Sequence, residues 1–399
     1  MSKVMAVNAG SSSLKFKLFQ MPEEIVLTEG VVERIGMEDA IFTIKVNGEK
    51  NRRVLPIKDH QQAVDMLLEA LVSYKIVENL NEINGVGHRV LHGGEKYPES
   101  VVCTPEVAQD ILDMNDLGPL HMVANYTGYK AFKNALPNVG HVTVYDTSFH
   151  LTMKPEVFLY PIPLEYYEKY KVRRYGFHGT SHKYITYRYA EITGKDVKDS
   201  NLITCHLGNG ASLAAIEAGK VVNTSMGFTP LAGIMMGGRS GDVDPSIIPY
   251  LMKKTGQTAE ELINTFNKKS GLLGISGVSS DARDIQAAVE AGNERAILAR
   301  KMYARRVSDY LGQYFVQLGH VDAIIFTAGL GENDKNVRKE ACDLVSEALG
   351  VKVDEAVNDN ARGKEIKIST PDSKIDVWVI PTDEEIMIAR DTVRLLHLN

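Results

Sequence analysis

The residues able to do chemistry lie in short polar strings separated by apolar runs. Asn8-Ala9-Gly10-Ser11-Ser12-Ser13-Leu14-Lys15 is a turn of small residues. Its backbone N–H groups can approach a phosphate, its hydroxyls add donors, and Lys15 adds a point positive charge. His206-Leu207-Gly208-Asn209-Gly210 repeats that physics, with two glycines that permit close backbone approach. Thr327-Ala328-Gly329-Leu330-Gly331-Glu332-Asn333 lies between an apolar run and a helical pattern. It reads as a glycine-rich loop at a helix N-terminus, a place that favours nucleotide phosphates or ribose. The first turn alone reads equally well as a polar hairpin and a GxG is weak by itself, but three small-residue turns together favour an anion. The P-loop pattern GxxxxGK[ST] and the HRD loop of protein kinases are both absent, so a nucleotide site here must be of another kind.

Two arginines sit among glycines, Arg89 in Gly87-His88-Arg89-Val90-Leu91-His92-Gly93-Gly94 and Arg239 in Gly237-Gly238-Arg239-Ser240-Gly241. An arginine with little to pack against grips an anion more readily than one on a solvated helix face. His178 and His182 have i,i+4 spacing, but no glutamate of the HExxH type accompanies them and no third ligand is evident, which argues against zinc. His178 therefore reads as a donor to phosphate and His182 as structural; His121, His150 and His206 can each be read as core histidines, His121 and His150 equally well. In Pro381-Thr382-Asp383-Glu384-Glu385, Thr382 and Glu385 fit a capping box. Glu384 is left to hold a hydrated Mg²⁺, directly or through water. Asp146, at the end of an apolar strand, is a base, an orienting group or a metal contact.

The elements that must position these residues alternate in type. Val4–Leu18 and Leu202–Ile216, about half a chain apart, each read as strand, small-residue turn, strand, which points to an internal duplication. Helices are expected over His60–Tyr74, Thr180–Thr193, Glu294–Leu318 and Asn336–Leu349. Strands are expected over Ile83–Val90, Val139–Asp146, Val321–Phe326 and Val377–Ile380, with a last helix after Pro381. The order implies an α/β architecture with mixed sheets. The expected domains are 1–150 plus 385–399, on the acyl side, and 151–384, binding nucleotide.

Composition sets the background. The 399 residues are 44% apolar and 24% charged, with a net charge of −6, so no basic field invites nucleic acid or an anionic membrane. Cys103, Cys205 and Cys342 form no CxxC pair, which suits a reducing cytoplasm better than a disulfide framework. No apolar run reaches the roughly 18 residues of a membrane span, and Met1–Phe16 lacks the apolar stretch of a signal peptide.

With these strings assembled, the chain resembles the acetokinase family, within the superfamily of actin, sugar kinases and Hsp70-type ATPases. NAGSSSLK, GHRVLHGG, YDTSFH, YGFHGTSH, HLGNGAS, GISGVSSDARD, FTAGLGEN and VIPTDEE occur in the family's order from end to end. The resemblance implies two duplicated RNase H-like domains of the actin-ATPase type, βββαβαβα, facing a central cleft. It also implies a homodimer and the reversible reaction of ATP with acetate to ADP and acetyl phosphate. Mg²⁺, with Mn²⁺ as the alternative ion, would be served by Asn8 and Glu384. Arg89 and Arg239 would brace the carboxylate and the transferring phosphoryl, His178 would contact that phosphoryl, and Asp146 would lie beside the reacting groups. Lys15, His206, Leu207, Gly208, Asn209 and Gly210 would hold the ATP phosphates. Asp281, Ala282, Arg283, Gly329, Leu330, Gly331, Glu332 and Asn333 would border the adenosine. Leu91, Leu120, Phe177 and Pro230 would line an acyl pocket, and Leu91, where some relatives carry valine, implies a preference for acetate over propionate. Two departures from the family pattern, Gly238 for threonine and Ala232 for glutamate, leave Arg239 in place and predict altered loop mobility rather than lost activity.

Overall fold

Apolar runs broken by small-residue turns give strands, and these assemble two sheets of related design. A computed structural model describes residues 1–119 and 121–398. The chain divides into two units by internal contact: Met1–Phe149 with the segment from Asp383 onward, and His150–Thr382.

In the first unit the strands are β1 (Ser2–Gly10), β2 (Ser13–Met21), β3 (Ile25–Glu33), β4 (Ala40–Val46), β5 (Glu49–Leu55), β6 (Ile83–Val90), β7 (Val101–Val102) and β8 (Gly140–Tyr145). They form one sheet in the order β5-β4-β3-β2-β1-β6-β8-β7. β1 to β3 are antiparallel neighbours, whereas β6 lies parallel to β1 and β8 parallel to β6. The second unit contains β9 (Asn201–Leu207), β10 (Ala211–Glu217), β11 (Lys220–Thr224), β12 (Ala323–Thr327), β13 (Ile366–Lys367) and β14 (Asp376–Val379), in the order β11-β10-β9-β12-β14-β13. Here β9 to β11 are antiparallel, and β12 and β14 add in parallel. The two segments read as repeats are β1–β2 and β9–β10, the same antiparallel pair in each sheet.

Register decides which side chains share a face. Ala6 pairs with Gly87, so Asn8, Gly87 and Arg89 fall on one face by strict alternation. The C-terminal helix Glu384–Leu396 covers that face: a Cβ at Gly87 would stand 2.4 Å from Ile388 and Thr392. His88 points the other way, toward Tyr129 and Phe132 of the helix Met122–Ala135. In the second unit, Thr204 and His206 alternate on β9 and meet the helix Gly179–Thr193. The helix Gly179–Thr193 thus covers the second unit's sheet as the helix Glu384–Leu396 covers the first unit's.

Three expectations need correction. Ala328–Asn333 is a six-residue helix, not an open loop, because the Glu332 carboxylate accepts from the Ala328 N–H at 2.8 Å and closes the turn. The cap of the C-terminal helix is Asp383, which accepts from the Ile386 N–H at 3.0 Å, so no Thr382–Glu385 capping box forms. Lys17 instead lies 3.4 Å from Asp383 and 3.9 Å from Glu385. Finally, His121 is exposed at the start of its helix rather than buried in the core, whereas His150 is fully buried.

Candidate active site

At the carboxyl ends of the parallel strands in the first unit, the duplicated design places charge. Arg89, the penultimate residue of β6, forms a two-pronged pair with Asp146, just past β8: Nε to Oδ1 at 2.8 Å and Nη2 to Oδ2 at 2.6 Å. Asp146 is 1% exposed, so its charge depends on this partner. Glu384, the first residue of the C-terminal helix, stands 4.0 Å from Arg89 Nε. Burial pushes the Glu384 carboxyl up, to about 7, against the opposing pull of Arg89 and with help from Asp146 and Glu385. Burial opposes the charged form of Arg89 as well, but Asp146 and Glu384 outweigh it and the guanidinium is held firmly charged. Asn8, on the same face of β1, faces Lys15 across the β1–β2 ladder. Lys15 is exposed and acts on Glu384 only as a charge nearby.

The second unit places donors at the equivalent strand ends. A side chain at Gly210 would have its Cβ 3.3 Å from His178 Nε2 and 3.4 Å from both Nη1 and Nη2 of Arg239. The absence of a side chain thus opens one point on which an imidazole and a guanidinium converge. Among the described residues Arg239 has no carboxylate partner; its Nη1 donates to the Pro230 carbonyl at 2.9 Å. Burial alone lowers its pKa. A desolvated guanidinium with unfilled donors is an anion site. His178 caps the helix Gly179–Thr193 in the left-handed region at φ +61°, and its ring stacks on His206 with centroids 4.1 Å apart. Asn209 is exposed in the same turn, and Leu207 is a fully buried strand residue that contributes packing.

Near the short helix, Leu272, Ala282, Ile285, Gln286, Arg300, Tyr303, Leu330, Asp334 and Val337 line a shallow cleft open to solvent. Ala282 and Leu330 both line this cleft. Asp281 caps its helix and also chelates Arg283, which is 87% exposed. Glu332 accepts from the N–H groups of Ala328 and Thr382, and Asn333 donates to the Gly329 carbonyl, so both side chains hold their own loop. Gly329 is exposed and Gly331 buried, its carbonyl receiving Arg338. Phe177 is buried, while Leu91 and Pro230 are half-buried. Leu120 lies outside the described residues.

Sequence reasoning missed Ser181, Thr204 and Ser212, whose hydroxyls bind the ring nitrogens of His206, His182 and His178. Thr204 and Ser212 alternate with apolar residues on β9 and β10, the one local hint at them, whereas Ser181 lies on the helix Gly179–Thr193. It missed Arg300, Gln286 and Tyr303 for the same reason: they come from distant helices.

Comparison with known proteins decides the family. The acetokinase family profile matches residues 3–390. The chain belongs to the acetokinase family. It is 59% identical to the acetate kinase of Bacillus subtilis, over 99% of this chain and 100% of that protein. The acetate kinase of Anoxybacillus flavithermus is 58% identical over the whole of both chains. Among solved structures, Porphyromonas gingivalis acetate kinase superposes with a TM-score of 0.95 at 46% identity, covering 99% of this chain and 100% of the other. A propionate kinase from Francisella tularensis gives 0.94 at 36% identity, with the same coverage. The fold is therefore the two-domain α/β fold of acetokinases.

Proposed function

We propose that the chain transfers the γ-phosphoryl of ATP to acetate, reversibly and in line, giving acetyl phosphate and ADP. The observation that carries this is the convergence of His178 Nε2 and the carboxylate-free Arg239 on Gly210. A transferring phosphoryl spreads negative charge over its equatorial oxygens, so preset donors aimed at one point lower the barrier. Family membership supports the same reading.

The geometry supports an assignment of roles. The Gly208–Gly210 turn and His206 receive the nucleotide phosphates, and the cleft at Ala282, Ile285 and Leu330 receives the adenosine. Arg89 keeps Nη1 for the substrate carboxylate, since Nε and Nη2 are committed to Asp146. Asp146 is then an orienting group, and no base is needed because acetate is already ionised at neutral pH. The amide oxygen of Asn8 and the carboxylate of Glu384 are hard donors suited to Mg²⁺ or Mn²⁺. The fit rests on Glu384, a half-buried carboxyl short of positive charge, which a cation would complete. When bound, that ion supplies charge neutralisation on the nucleotide phosphates.

Acetate is favoured over propionate because Leu91 is backed closely by Gly118, where a Cβ would stand 2.9 Å from Leu91 Cδ2. One methylene is worth roughly 1–3 kcal/mol of discrimination in such a pocket. The test is hydroxamate trapping of acyl phosphate with ATP, Mg²⁺ and acetate, propionate, butyrate or glycerol. We expect product with acetate above propionate and none with glycerol; no hydroxamate from any acid sinks the reading. A homodimer is supported by the helix Ile247–Thr255, none of whose residues is buried and which exposes Tyr250 and Met252. The cytoplasm is supported by three free, buried cysteines.

A further inference from the structure

His178 stands at the end of a file of buried hydrogen bonds. Ser212 on β10 lies directly opposite His206 on β9, with Thr204 two residues away on the same face. The helix Gly179–Thr193 lays His182 over these hydroxyls, one turn after His178. Thr204 Oγ1 is 2.7 Å from His182 Nδ1. His182 Nε2 is 2.8 Å from Ser212 Oγ, and Ser212 Oγ is 2.9 Å from His178 Nδ1. Thr204, His182 and Ser212 are all fully buried.

The protons in this file have one consistent arrangement. Among the described residues, His182 Nδ1 is the sole partner of the Thr204 hydroxyl. A buried hydroxyl proton without an acceptor is costly, so Thr204 donates to Nδ1. Burial holds His182 neutral, as its strongly lowered pKa reflects, so its one proton sits on Nε2 and is given to Ser212 Oγ. Ser212 has already accepted there, and its own proton goes to His178 Nδ1.

We propose that Thr204, His182 and Ser212 form a directed relay that locks His178 in the neutral tautomer bearing its proton on Nε2, aimed at the point beside Gly210 where Arg239 also converges. The proposal rests on the reading that this point receives the transferring phosphoryl. Ser212 and His182 are then positioning residues: neither touches substrate, and no proton is moved along the file. The relay makes His178 a preset donor at Nε2, and aligned hydrogen bonds polarise one another, strengthening the last donor.

The direct test is ¹⁵N spectroscopy of the full chain labelled in its histidine rings, with His178 assigned by its loss in His178→Gln. The expected signature at His178 is a protonated Nε2 and an accepting, unprotonated Nδ1. A proton on Nδ1 overturns the relay. In kinetics, Ser212→Ala should lower kcat by ~10–50-fold with KM for ATP and acetate within ~3-fold, and Thr204→Val by ~3–10-fold. Ser212→Thr, which keeps the hydroxyl, should recover most of the loss. Wild-type kcat in both Ser212→Ala and Thr204→Val also overturns the relay. If Ser212→Ala fails to fold, Thr204→Val and the wild-type spectrum still decide. His178→Gln with unchanged kcat would instead overturn the site reading itself, a result separable from failure of the relay alone.

Discussion

The two units place different chemistry at matching positions of one sheet design. Asn8, Arg89 and Asp146 stand at or just beyond the ends of β1, β6 and β8. By register, their counterparts in the second unit are His206, Thr327 and Thr382. Above Asn8 and Arg89 a helix begins with Glu384; above His206 a helix is capped by His178. One end is a charged cluster that partly neutralises itself, Arg89 against Asp146 and Glu384. The other is built from imidazoles, hydroxyls and a guanidinium that has no carboxylate beside it among the described residues. Strand-end position is therefore set by the fold, while the sign of the local field is set by the side chains placed there. An end left electropositive suits phosphate; an end holding both signs suits a cation and a carboxylate together.

The comparison is broken most strongly at Arg239. Arg239→Ala should cut kcat by ~10²–10³-fold while KM for ATP moves less than ~5-fold, because a donor realised in the transition state is removed. A mainly KM effect would place Arg239 in ground-state nucleotide binding. Arg89→Ala should cost about 10²-fold in kcat and, unlike Arg239→Ala, should also lower the urea midpoint, since it strands the buried Asp146. Equal midpoints for the two variants would contradict the contrast between a paired and an unpaired arginine. Gly210→Ala intrudes a methyl between His178 and Arg239, with an expected loss of roughly 10-fold in kcat and an unchanged urea midpoint.

A last prediction concerns stability rather than rate. In the first unit His88 Nε2 and His141 Nδ1 lie 3.0 Å apart, both buried. Burial, with His88 further disfavoured by His141, pushes His88 well below its usual 6.5, and burial pushes His141 down to about 4. The unfolded chain protonates these rings near pH 6.5 while the folded chain resists. Their contribution is thus fully present above about pH 6.5 and is lost as pH falls toward 4. Urea denaturation should show a loss of roughly 2–4 kcal/mol across that window, reduced in His141→Asn. A flat profile between pH 7 and 4.5 would show that the pair is not held neutral.

Much of the fold was legible because it rests on local patterns. Alternating apolar residues and small-residue turns gave the two strand pairs, and the helix Glu294–Leu318 and strand Ile83–Val90 fall where periodicity puts them. The cap of the C-terminal helix was misread because Thr382 and Asp383 are both competent N-caps. The choice was made by distant partners: Ser181 holds the Thr382 hydroxyl at 2.8 Å, and Glu332 holds its N–H. Thr327–Asn333 looked like an open glycine loop because Gly329 and Gly331 are poor helix formers, and the bond by which Glu332 turns back to the Ala328 N–H offsets that.

By itself the sequence determined which groups are available: the arginines among glycines, the histidines, the acids after Pro381, and the duplicated strand pair. These follow from residue type and near-neighbour spacing, which sterics and hydrophobic periodicity translate directly. Only the tertiary structure decided how they are shared. That Arg89 is engaged by Asp146 while Arg239 is not depends on register across β6 and β8 and on a carboxylate dozens of residues away. That His178 ends a file from Thr204 through His182 and Ser212 depends on one helix lying over one strand pair. Hydrogen bonds act over about 3 Å, so their partners are fixed by packing rather than by distance along the chain.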